Sequence, residues 1–121
     1  MGKNEMTLEQ KIEAERIINI MWRALVEGFQ KIDPTLATKW GARQPEGFVD
    51  AKTGNPGFSM FCDNLQTSFL VEYNTATMVY LLTAVQGERN AVHIPITAVL
   101  DAKEMAPTLV EWVKDHQGLV S

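Results

Sequence analysis

The sequence predicts an α+β fold: a two-layer sandwich in which a long N-terminal helix, a short second helix and a C-terminal amphipathic helix pack on a four-stranded antiparallel meander. Three observations carry that prediction. Apolar residues from 8 to 32 recur with a helical period, the period falls towards two between 58 and 96, and a helical period returns after 101. Helices are thus segregated from one run of strands, and the short links between those strands favour antiparallel neighbours. At 121 residues the chain has the commonest domain size, with no internal repeat and no linker that would divide it. Residues 1–121 are therefore expected to form a single domain.

The first helix opens at a capping box, Thr7 to Gln10, in which the Thr7 hydroxyl accepts from the amide of Gln10 and the Gln10 side chain reaches back. Leu8, Ile12, Ile18, Trp22, Leu25, Phe29 and Ile32 form its main apolar face, and Asp33-Pro34 ends it. A second, weaker stripe of mostly small residues runs beside that face: Ala14, Ile17, Met21, Ala24 and Gly28. A helix of ~38 Å exceeds what a domain with a radius of gyration of ~13 to 14 Å needs to span. It is expected to be either a central buried helix or a dimer seam, with Ala14 to Gly28 as the seam of a homodimer.

The short second helix is expected from Asp33 as N-cap, Pro34 at its first position and Gly41 as its stop. Residues 58–62, 67–73, 77–85 and 91–96 read as the four strands, separated by turn chemistry. Met78 to Leu82 is apolar on both faces, which suits a central strand, while Pro95 assigns the last strand to an edge or a frayed end. Residues 65–85 also fit a helix, the main competitor. Asp101 with Glu104 makes a second capping box for a helix carrying Met105, Leu109, Trp112, Val113 and His116 on one face before Gly118. Pro107 offers a later start for that helix.

The composition narrows the function classes. A net charge of -4 disfavours a nucleic-acid binder that works by neutralising phosphates. One cysteine, Cys62, excludes an intrachain disulfide and a thiolate zinc site. The amino terminus lacks a signal-peptide core, no apolar run reaches the ~20 residues of a membrane span, and Gly2 with Thr7 misses the myristoylation spacing by one place. A cytoplasmic protein with no membrane association is expected.

Motif tests remove most chemistries. Lys52-Thr53-Gly54 matches a penicillin-binding fragment, but no serine stands three residues before a lysine. The glycines at 41, 47, 54 and 57 lack the lysine and strand–helix context of a phosphate loop, and Lys52 spoils a calcium loop. His116 with Asp115 lacks a ligand cluster, so no metal or cofactor is assigned. Cys62 and His93 form the only thiol and imidazole set, with no catalytic residue assigned.

What remains is the stretch of residues 39–58, expected as a loop of about fifteen residues linking helix to sheet, a length at which loops are often functional. Trp40, Arg43, Phe48 and Lys52 within it are expected to bind a partner, since tryptophan and arginine dominate binding hot spots. The expected function is a small acidic protein-binding module of the inhibitor, immunity-protein or adaptor/chaperone type, probing surfaces rather than turning over substrate. The alternative is a small enzyme or small-molecule-binding domain with a pocket between helix 1 and the sheet near Cys62 and His93. Size and acidity resemble those of type III secretion chaperones, but their sheet is interrupted by a helix, which four consecutive strands do not match.

Overall fold

The computed structural model describes residues 7–87 and 90–116. Gly2, Gly118 and positions 88–89 lie outside the described residues. The elements run α1 (Leu8–Ile32), α2 (Leu36–Trp40), β1 (Glu46–Val49), β2 (Pro56–Cys62), β3 (Thr67–Asn74), β4 (Val79–Gln86), β5 (Val92–Val99), a 3-10 turn (Ala102–Glu104) and α3 (Met105–Asp115). The class is α+β, with one antiparallel sheet in the order β1-β2-β3-β4-β5.

The sheet has five strands, not four. The extra strand, Glu46–Val49, lies inside the stretch expected to be loop and pairs with β2 across the Asp50–Asn55 turn. Asp50 makes that turn by accepting from the N–H groups of Lys52 and Thr53, and Gly54 follows with φ +76°. A four-residue strand containing glycine shows almost no alternation in sequence, so only its pairing reveals it. Residues 65–85 are strands rather than helix, because each finds a full-length antiparallel neighbour.

The capping box at Thr7 and Gln10 forms in both directions, and α1 buries the later turns of its expected main face together with part of the small-residue stripe. Ala14, Met21, Leu25 and Phe29 are buried, whereas Leu8 is 74% exposed and Ile12 58%. The small-residue stripe turns inwards because it allows α3 to come close: a Cβ on Gly28 would lie 2.5 Å from the Ala106 Cβ.

Two caps also differ from expectation. α2 begins after Thr35, and Asp33 instead holds the preceding turn by accepting from Thr35 N–H. Asp101 caps the 3-10 turn through Lys103 N–H, while Glu104 completes no capping box and α3 starts at Met105. Pro107 then falls in the first turn of α3, where its missing N–H is no loss.

The core lies between the helices and one sheet face, where Phe58, Met60, Cys62, Phe69, Val71, Leu82 and Ala84 meet Met21, Leu25, Met105 and Leu109. β5 is an edge strand, and a register irregularity opposite Leu82 and Thr83 accommodates Pro95.

The Gly28 contact sets a test. Gly28→Ala gains ~1 kcal/mol of helix propensity but overpacks against the Ala106 methyl group, and a net loss of about 1–3 kcal/mol is expected. Urea unfolding of Gly28→Ala, Ala106→Gly and the double variant should show partial recovery in the double variant.

Candidate functional site

The four loop residues expected to bind together are dispersed. Trp40 is 6% exposed and sits in the core, with its ring centroid 5.2 Å from Phe29 and 5.7 Å from Phe69. Lys52 is exposed at the tip of the β1–β2 hairpin. Arg43 lies at the opposite end of β1, where its N–H donates to the Phe61 carbonyl. Its guanidinium holds Asp63 with two contacts, 2.8 and 2.7 Å, and stands 5.2 Å above the Phe61 ring. Phe48 pairs with Gly57 and covers it. Arg43 and Phe48 therefore both border the sheet face that none of the described helices covers.

That uncovered face follows from the register. Residues directly opposite in a ladder share a face, so Phe48, Gly57, Glu72, Leu81 and Ala98 form one row. Glu46, Ser59, Leu70, Thr83 and Pro95 form the next, followed by Phe61, Ser68, Val85 and His93. β4 thus presents Val79, Leu81 and Val85 outwards as well as Leu82 and Ala84 inwards. A sheet with one wet side ordinarily alternates apolar with polar, and β4 does not. Phe61, Leu70, Leu81 and Val85 were not singled out as binding residues, although the apolar run from Met78 was the available signal.

Cys62 and His93 do not meet. Cys62 is fully buried on the helix side, in a row with Thr67, Gln86 and Val92. His93 follows Val92 and so points to the other side, with three strand spacings, ~14 Å, between β2 and β5. Burial, with the nearby Asp63 carboxylate adding to it, pushes the Cys62 thiol up to about 12. A thiol with that value carries no thiolate near neutrality. Among the described residues, no cluster of three histidine, cysteine, aspartate or glutamate side chains could hold a metal ion, and no helix is long and apolar enough to cross a membrane.

The stripe Ala14, Ile17, Met21, Ala24 and Gly28 packs within its own chain. Ala14 and Met21 are buried, Ile17 and Ala24 lie against the core, and Gly28 meets Ala106.

The main hollow lies between α1 and the β1 edge. It has a volume of about 620 Å³, with Ile18, Trp22, Val26 and Phe29 on the helix side, Met60 in its floor and residues 42–45 and 47 opposite. Gly47 contributes by absence: it occupies the helix-facing row of Phe58, Val71 and Leu82 without a side chain. Trp22 is held edge-on to Phe58 at 5.6 Å. Neither Cys62 nor His93 lines this space. No protein-family model matches the chain, and no curated protein or solved structure matches it either.

Two titrations test this account. Alkylation of Cys62 by iodoacetamide at pH 8, followed by mass spectrometry, should be slower in the native protein than in urea by about three orders of magnitude, the deficit in thiolate. The Asp33 carboxylate accepts from Lys39, the Thr35 N–H and the Thr35 hydroxyl, which together lower it to about 2, the Lys39 bond first. Its folded value lies below its unfolded one, so its contribution is full above the ordinary carboxylate range and is lost as pH falls towards 2. Carboxyl NMR should place its midpoint near 2, and Lys39→Ala should raise it.

Proposed function

We propose that this chain is a small acidic protein-binding module, of the inhibitor, immunity-protein or adaptor/chaperone type, that works through its uncovered sheet face. The observation that carries this is β4, apolar on both sides in a sheet covered on one. Leu70 and Phe61 extend the patch, and Arg43 stands over Phe61 at its corner. Arginine stacked on an aromatic ring and held by a carboxylate is pre-organised for recognition, losing little side-chain freedom on binding.

The size of the surface supports a contribution from the loop. Three rows across five strands span on the order of 500 Å², whereas a standard interface takes about 800 Å² per partner. Arg43 and residues 41–45, adjoining the same end of the sheet, supply the remainder. Homodimerisation belongs to this proposal, and with the α1 stripe packed internally a second copy would use the sheet face instead. The hollow beside Trp22 favours a second function, ligand binding without thiol or imidazole chemistry.

Leu81→Lys and Arg43→Ala, each expected to change stability by no more than ~1 kcal/mol, separate the possibilities. Both should lose a specific partner that wild type retains from native cell extract. If sedimentation shows wild type to be a dimer, Leu81→Lys should weaken it at least ~10-fold, the effect of a charge buried without a partner. A wild type that stays monomeric at ~50 μM, a concentration well above micromolar affinities, removes the dimer. Unchanged partner capture by both variants removes the sheet face.

A further inference from the structure

The two edges of the sheet are treated differently. β5 carries Pro95 and a register irregularity, devices that blunt an edge against pairing. β1 is short and follows Pro45, but nothing interrupts its own ladder. The Asp50 N–H donates to the Asn55 carbonyl at 2.9 Å, and the register carries that pairing on to Phe48 with Gly57 and Glu46 with Ser59. Alternation in an antiparallel ladder then directs the N–H and C=O groups of Gly47 and Val49 away from β2. They face the space beside α1.

That space is a trench along the whole of β1. The 620 Å³ hollow ends where Ile18 approaches Gly47, with a Cβ there lying 3.3 Å from the Ile18 Cδ1. A second hollow of about 340 Å³ continues from Gly47 to Val49 under Ala14 and Ile18, and a third begins at Val49. An extended chain beside β1 would direct alternate side chains, ~7 Å apart, into this series.

Charge selects the occupant. The second hollow is lined by one charge of each sign, Lys11 and Glu15, and both charged side chains in the wall of the main hollow are already neutralised, Arg43 by Asp63 and Asp33 by Lys39. The polar groups that remain are the exposed carboxamides of Asn19, Gln30 and Gln44, which suit peptide groups and compensate no charge. A charged head in the hollow would lose hydration without a counter-charge.

We infer that the trench between α1 and β1 binds an uncharged, extended peptide segment of a partner, which adds to β1 as a sixth strand and seats an apolar side chain beside Trp22. Main-chain bonds to Gly47 and Val49 supply the alignment, and the Trp22 hollow supplies the selectivity. This site lies on the helix side of β1 and meets the uncovered sheet face only at residues 42–45.

The probe is a phage-displayed library of nine-residue peptides panned on the wild-type chain, with the best sequence resynthesised with capped ends. Uncharged sequences with apolar residues at alternate positions are expected. N-methylation of alternate amides in one register should weaken binding about 10-fold, the loss of two hydrogen bonds, and in the other register should leave it nearly unchanged. Val49→Pro removes an outward N–H that the β1–β2 ladder does not use, and should weaken binding several-fold where Val49→Thr does not. Trp22→Ala should weaken it further, and Leu81→Lys on the other face should have no effect. Recovery of no peptide, recovery of charged peptides, or equal binding by both N-methylated registers would overturn the inference. The synthetic-peptide arm holds even if Val49→Pro fails to fold.

Discussion

The burial of Trp40 is the constraint from which the rest of the arrangement follows. Its ring lies between Phe29 of α1 and Phe69 of β3, and Phe69 in turn meets Trp112 of α3 edge-on at 5.9 Å. One aromatic run therefore ties both helices to the middle of the sheet. Such contacts contribute roughly 0.5–1.5 kcal/mol each beyond the area they bury. Because Trp40 is the last residue of α2, the chain must turn sharply just after it, and Gly41 does so with φ +68°. The turn is clamped from the β2–β3 connection, where Asn64 donates its N–H to the Trp40 carbonyl and its side-chain amide to that of Lys39. Ala42 then bridges to Cys62, and Arg43 reaches Phe61.

The two surfaces proposed for binding are consequences of that anchoring. α1 is drawn towards α3 by the Gly28–Ala106 contact, and the helices occupy one side only, leaving the other side of β4 apolar and uncovered. At the β1 edge, the close approach of Ile18 to a residue without a side chain leaves room on either side of the contact. The ion pairs play a lesser part. Arg16–Glu13, Lys39–Asp33 and Arg43–Asp63 all lie at the solvent surface, where such pairs contribute little to stability. Their effect is to position side chains and to neutralise the walls of the hollow.

Much of the fold was legible because the signals were local. The Thr7–Gln10 box, the left-handed stop at Gly41, the central character of β4 and the edge position of Pro95 each depend on a few neighbouring residues. The site was less legible, because its members come from four separate segments. Trp40 reads as a hot spot by residue type, yet the same large aromatic ring is equally suited to fill a core, and nothing nearby in sequence separates the two. Lys52 and Arg43 are nine positions apart, but a hairpin strand holds them at opposite ends. Of the four, Phe48 and Arg43 are the two that the chain brings to the border of the uncovered sheet face.

The sequence by itself determined the class of fold, the single thiol without a partner, and the helix and strand periods, since periodicity, caps and turn residues act over a few positions. Tertiary structure alone decided that β1 exists, how much of each α1 stripe is buried, and that Cys62 and His93 stand on opposite faces. Those outcomes depend on register and on how closely two backbones approach. A strand of four residues is recognised only through its partner, and a helix apolar over more than half its girth turns inwards whichever side lets its neighbour come nearest.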